Sequence, residues 1–345
     1  MRRKVNAIRT VALFGIAATA VGVASASLAT RNSELRAGLE AYAPPAPAPQ
    51  PADNAYTPER VELGRKLFFD PRLSRSGITS CGTCHNPSLE WGDGLAVGVG
   101  AGMKQLKRRT PTILNVAWAE LLFWDGRADT LEQQALGPIQ SPDEMNMDLA
   151  DMVQAVDGIA GYRQLFAAAY PGEPLGKETV AKALAAFERT VVSTPAPFDR
   201  WVAGDEAAVS ESAKRGFRLF DGKANCSACH AGWRFTDDSF HDIGVRSEDR
   251  GRGALFEHVP ILQHAFKTPT LRNVERRGPY MHNGSESTLA EVIDLYARGG
   301  RVARPSLAEE IHPLTLDPTE RADLVAFLET LTSEAPPMNV PVLPR

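Results

Sequence analysis

Cys81-Gly82-Thr83-Cys84-His85 is a C-x-x-C-H run, the attachment signature of c-type haem. Two thiols at this spacing form thioethers with the two vinyl groups of one porphyrin. The histidine beside the second thiol supplies the proximal nitrogen to iron. The run recurs once, as Cys226-Ser227-Ala228-Cys229-His230, and the two copies use all four cysteines of the chain. No thiol is left for a disulfide or a separate metal centre. Two C-x-x-C zinc-ligand pairs are the alternative, but these generally lie closer in sequence and need no histidine after the second cysteine. The expectation is two covalent c-type haems, one on Cys81, Cys84 and His85, the other on Cys226, Cys229 and His230.

A length of 345 residues suggests two domains, and 43% hydrophobic residues suffice for a core in each. The net charge of −4 gives no reason to expect nucleic acid as a partner. Arg2, Arg3, Lys4 and Arg9 precede an apolar run from Val11 to Val23 and a small-residue exit, Ala24-Ser25-Ala26. That pattern predicts a signal peptide over residues 1–26. The apolar run is short for a spanning helix, although an uncleaved anchor is the alternative. Bacterial c-type haem is attached outside the cytoplasm, so the expected location is the periplasm. Residues 27–56, with Ala43-Pro44-Pro45-Ala46-Pro47, read as a Pro/Ala-rich tether.

Folded structure is expected from Thr57-Pro58-Glu59, where Thr57 suits a helix cap and Pro58 the first turn. Val180, Leu184, Phe187 and Val191 keep helical spacing, as do Leu324, Phe327, Leu328 and Leu331. Asp317-Pro318-Thr319-Glu320 resembles a capping box. Few segments alternate like strands, and the long Gly/Pro-rich loops 86–112 and 231–268 suit the wrapping of a cofactor. The fold class is mostly α. The chain also repeats weakly. Leu67-Phe68 is echoed by Leu219-Phe220, and Pro111-Thr112-Ile113-Leu114-Asn115 by Pro269-Thr270-Leu271-Arg272-Asn273. Trp124-Asp125-Gly126 with Thr130-Leu131 is echoed by His282-Asn283-Gly284 with Thr288-Leu289. This predicts two cytochrome c-like domains, residues 57–205 and 206–345, each wrapped around one haem. The last residues are free to pack back on the first domain.

Superposing Gly126 on Gly284 lays Tyr296 on Pro138. If the helix after Thr-Leu brings one side chain over each haem, the second iron receives a phenol and the first a residue with no ligand atom. The second iron is then closed by His230 and Tyr296, with Met281 the rival ligand, while the first keeps His85 and an open sixth position. An open iron meets small oxidants; a closed one passes electrons. Near the open site, Glu144 suits the proton shift that O–O cleavage needs, and Gln134 suits orienting bound oxygens. Trp124 suits an electron relay between two redox centres. The plain alternatives are a surface Glu, a surface Gln and a core Trp.

These residues resemble the bacterial di-haem cytochrome c peroxidase/MauG family. The C-x-x-C-H motifs, Phe123-Trp124-Asp125-Gly126-Arg127, the Pro-Thr-x-x-Asn repeats and Tyr280-Met281-His282-Asn283-Gly284 carry the likeness, over roughly residues 57–335. The resemblance implies that the N-terminal haem reacts with hydrogen peroxide and the C-terminal haem transfers electrons. It also implies that Trp124 is the inter-haem tryptophan and that Gln134, Pro138 and Glu144 lie distal to the first iron. His282 matches a histidine beside the second haem or its propionates.

Two departures sort the chain within the family, and a third concerns calcium. Tyr296 stands where typical peroxidases have an axial methionine, and MauG-like members carry tyrosine. Ala101 stands where those peroxidases have a histidine that ligates the first iron until reduction releases it. Arg109 stands where an asparagine contacts an inter-haem calcium, and a guanidinium beside propionates is the expectation instead; calcium is doubtful. The resulting expectation is a MauG-like oxidoreductase that oxidises a protein partner by long-range electron transfer. The rivals are a cytochrome c peroxidase with a small cytochrome or cupredoxin donor, and a non-enzymatic electron carrier or redox sensor. Monomer and homodimer both occur in the family. Trp201 and Trp233 are candidate hopping points toward a partner; His241, His258, His264 and His312 read as ordinary loop histidines.

Overall fold

The computed structural model describes residues 38–45, 47–334 and 338–345. The expected signal peptide and the start of the tether lie outside the described residues. The elements that frame the site are α1 (Pro58–Phe68), α2 (Cys81–Cys84), α3 (Leu131–Gln140), α4 (Leu149–Asp157), α5 (Ala160–Ala169), α6 (Lys177–Glu188), α7 (Pro197–Val202), α8 (Glu211–Asp221), α9 (Leu289–Ala297) and α10 (Pro318–Glu329). The strands β1 (Phe240–His241) and β2 (Phe266–Lys267) pair antiparallel. Among the described residues, no helix is long and apolar enough to cross a membrane.

Each half is built on one close helix crossing. Leu63, Leu67 and Phe68 of α1 pack with Leu184 and Phe187 of α6 in the first core. Phe217 and Phe220 of α8 pack with Leu324, Phe327 and Leu328 of α10 in the second. Glycine permits both approaches. A Cβ on Gly64 would overlap the Ala183 carbonyl oxygen, and one on Gly216 the Asp323 carbonyl oxygen. Capping sets the helix starts as their sequences require. Thr57 Oγ1 accepts from Arg60 N at 3.2 Å, and Asp317 accepts from both Thr319 N and Glu320 N in a full capping box.

The sequence repeat is also a repeat of backbone devices. Asn115 and Asn273 are both left-handed, at φ 59° and 57°. Asn115 N donates to Val191 O at 2.8 Å and Asn273 N to Leu331 O at 3.0 Å. Ser193 N and Ser333 N donate to the two asparagine side chains. Each asparagine thereby ties its post-haem loop to the end of α6 or α10.

Two expectations change. The tether was expected to run to residue 56, but Leu39 and Tyr42 are buried in the second core, where the Tyr42 ring meets Phe198, Phe217 and Phe235. Asn54 is buried as well and donates to Glu132 Oε1 and Lys182 O, both at 2.8 Å. Two apolar side chains among prolines bury area that solvent would otherwise meet, so the segment straps the fold. Trp201 is core, 2% exposed between Phe198 and Phe217, and cannot meet a partner. At the far end, residues 338–345 lie on the first domain. Lys66 Nζ donates to Val342 O at 2.8 Å, Arg72 to Pro344 O at 3.1 Å and Gly161 N to Arg345 O at 3.1 Å.

Candidate active site

The two C-x-x-C-H motifs line one continuous cavity of about 790 Å³ that passes between the domains. Each proximal histidine is fixed through Nδ1. His85 Nδ1 lies 3.0 Å from the Trp91 carbonyl oxygen and His230 Nδ1 2.8 Å from that of Phe235. A carbonyl only accepts, so the proton sits on Nδ1 and Nε2 keeps the lone pair that iron needs. Burial pushes both imidazoles below the usual histidine range, which keeps them neutral.

The positions expected to be distal follow the repeat. Thr130 caps α3 and Thr288 caps α9, each through Oγ1 to the third residue beyond. Pro138 and Tyr296 then occupy equivalent places on the two helices, and both line the cavity. Burial pushes the Tyr296 phenol up, and Tyr296 lines the same cavity as Cys226 and Cys229. Met281 also lines the cavity, but on the turn before His282 with φ 71°, the counterpart of Phe123 at φ 68°. Gln134 lies one turn before Pro138 on α3 and lines the cavity, as does Glu144. The charge of Glu144 acts on both Cys81 and Cys84. Ala101 lies in a 3₁₀ turn beside this segment, its N–H donating to Asp143 O at 3.0 Å; it brings no ligand atom.

Between the domains the halves exchange hydrogen bonds about a local pseudo-two-fold axis. Arg109 N donates to His282 O at 2.7 Å; at the equivalent positions Lys267 N donates to Trp124 O at 2.8 Å. Trp124 Nε1 donates to Arg109 O at 2.8 Å. Trp124 and His282 thus stand on equivalent turns on either side of the axis, and the axis is broken by their identities. His282 stacks flat on Phe266, with centroids 3.7 Å apart. Burial pushes its imidazole down to about 4.

Three buried nitrogens on residues that line this cavity have no partner among the described residues: Arg109 Nε, Arg277 Nε and His282 Nε2. Arg109 reaches Arg277 O at 2.5 Å, and Arg277 reaches the Thr270 carbonyl. Burial, and then repulsion from the Arg109 guanidinium, hold Arg277 down at about 10. Such cations need anions, and the carboxylates of haem propionates would supply them. With the paired thiols and Nε2 lone pairs, the residues fit two c-type haems.

Sequence reasoning missed Arg277, Lys267 and Glu188 of this cavity. Lys267 is signalled by its repeat match to Arg109; the other two carry no such signal in the repeat as aligned on Gly126 and Gly284. Cys229, Asp237 and His241 bring ligand atoms within 4.8 Å of one another. Cys229 is committed to a haem thioether, so Asp237 and His241 remain an ion pair, at 2.8 Å.

The di-haem cytochrome c peroxidase family matches residues 58–207, and the cytochrome c family residues 213–332. Methylamine utilization protein MauG of Methylorubrum extorquens is 52% identical over 329 residues, which is 94% of this chain and 93% of that one. The chain belongs to the di-haem cytochrome c peroxidase/MauG family. Methylamine utilization protein MauG of Methylophilus methylotrophus is 48% identical, over 92% of this chain and 97% of its own. The crystal structure of a MauG-like protein associated with microbial copper homeostasis shares the fold with a TM-score of 0.79 at 34% identity, covering 85% of this chain and 94% of that one. As a MauG-family member the chain is a mostly helical di-haem enzyme, an oxidoreductase with c-type haems that reacts with peroxide.

Proposed function

We propose that this enzyme is a periplasmic oxidase of the MauG type, which takes hydrogen peroxide at the His85 site and oxidises a protein partner through the His230 site. The observation that carries the reading is the pairing of Pro138 with Tyr296 on equivalent helices lining one cavity. Bound haem supplies the electron transfers and, at the first site, cleavage of the peroxide O–O bond. The protein's own residues divide the remaining work. Pro138 presents carbon and would leave the first haem open; Tyr296 would offer the second haem an anionic oxygen, which favours oxidised states. Glu144 moves the proton from the inner to the outer peroxide oxygen, worth about 10²–10⁴ in rate. Gln134 orients the oxygens, and Trp124 carries charge between the sites. Two close relatives are named for methylamine utilization, which supports a partner in that metabolism.

Arg109 and Arg277 take over the charge role of an inter-haem cation, because their guanidiniums already hold the Arg277 and Thr270 carbonyls. Chelator treatment is therefore expected to leave the haem spectra and the peroxide reaction unchanged, and elemental analysis to find no stoichiometric calcium. Stoichiometric calcium, or loss of reactivity on chelation, refutes this assignment.

The function is tested by titrating the fully ferric protein with stoichiometric peroxide, followed optically and by low-temperature EPR. Prompt loss of both ferric signals is the expected result. No reaction until one haem is reduced would identify a reductively activated cytochrome c peroxidase and overturn the roles of Ala101 and Tyr296.

A further inference from the structure

Glu188 ends α6 at the edge of the His85 site. It is 5% exposed, it lines the cavity, and its Oε2 is buried with no hydrogen-bond partner among the described residues. Cys81 lines the same cavity. Arg189, the next residue and a cation whose charge acts on it, is committed elsewhere: it holds Glu132 through two bonds, at 2.8 and 2.9 Å, and Asn54 adds a third at 2.8 Å. Burial pushes Glu188 up to about 8; Arg189, on the same helix, opposes the rise and Glu132 of α3 adds to it.

The second domain shows what packing alone asks of this place. Phe187 of α6 packs on Gly64, and Phe327 of α10 packs on Gly216. The next residue is Glu188 in one domain and Leu328 in the other; Leu328 is buried and lines the same cavity. From one helix crossing, then, the second haem site is met by an isobutyl group and the first by an unpartnered carboxyl. An apolar side chain is the ordinary solution there, because burying an unpaired carboxylate is costly. Packing does not account for Glu188.

We propose that Glu188 is the proton-exchanging group of the first haem site, binding one proton when an electron arrives at the haem on Cys81, Cys84 and His85 and releasing it when the electron leaves. The electron reduces ferric iron to ferrous, a solvent proton joins a Glu188 carboxylate oxygen, and the net charge of the buried site is unchanged. Reoxidation reverses both transfers. In a low-dielectric site an uncompensated charge is expensive, which couples the two. Glu188 acts through the field of the site and not by touching peroxide, so it is a positioning residue. The inference deepens the reading of the His85 site, but its test uses neither peroxide nor partner, so the two fail separately.

The test is a spectroelectrochemical titration of the holoprotein across a pH series from about 6 to about 9, which brackets the range of a raised carboxyl. The midpoint potential of the first haem is expected to fall with pH at close to one proton per electron. Glu188→Gln, and Glu188→Leu as a copy of Leu328, are expected to flatten that slope, with haem content unchanged and the second haem unaffected. A flat wild-type profile overturns the proposal. So does a slope that survives in Glu188→Gln, or one lost in Glu144→Gln but kept in both Glu188 variants.

Discussion

Trp124→Phe is expected to leave both haems attached and the first still reactive, while confining the reaction with peroxide to the His85 site. The indole stands between the domains, its Nε1 held 2.8 Å from Arg109 O and its own carbonyl held by Lys267 N. Phenylalanine keeps most of the volume and forfeits one hydrogen bond, about 0.5–1.5 kcal/mol, so the fold survives. A phenyl ring is far harder to oxidise than an indole, and the relay is lost. Partner oxidation is expected to fall by more than about 100-fold, equivalent to about 2.7 kcal/mol on the barrier. On stoichiometric peroxide the EPR signal of the first ferric haem should vanish and that of the second persist. Loss of both signals in the variant would remove Trp124 from the path. The acceptor of the indole N–H is a backbone carbonyl, which is no base. Trp124 therefore passes charge without giving up its proton, and the transfer is expected to show no appreciable solvent isotope effect.

Covalent chemistry made the haem residues legible, because thioethers and a proximal nitrogen admit no other residue types at those spacings. The equivalence of Pro138 and Tyr296 was legible for a different reason. Thr130 and Thr288 start α3 and α9 in the same register, so a superposition of sequence became a superposition of side chains. Arg277 and Glu188 were hidden because their reading depends on a cofactor, and a cofactor leaves no letter in the chain. Glu188 becomes visible only when Phe187 is matched to Phe327, a spacing different from the one that relates Gly126 to Gly284. Leu39 and Tyr42 were hidden because two apolar residues beside a proline run have no period to read. Trp201 gave no sign of its surroundings, since a single tryptophan suits a core and a surface equally.

Pro138→His is expected to close the first site. Proline at this point of α3 lacks the N–H that a helix offers to the carbonyl four residues back, here that of Gln134. Histidine restores that donor, so the helix accepts the change. The imidazole then stands where α9 presents Tyr296, facing the cavity with a nitrogen in place of carbon. The ferric first haem should turn from high-spin to low-spin, and its reaction with peroxide should slow by at least about 10³, or about 4 kcal/mol. The second haem should keep its spectrum. A variant that stays high-spin and reacts at the wild-type rate would mean that position 138 does not face the sixth coordination site. Tyr296 owes its assignment to the same superposition, so that outcome would hand the second iron to Met281. A haem closed by histidine and methionine has a raised potential. The chain would then be a donor-driven peroxidase, with peroxide reduced at the expense of a small cytochrome instead of a protein side chain oxidised.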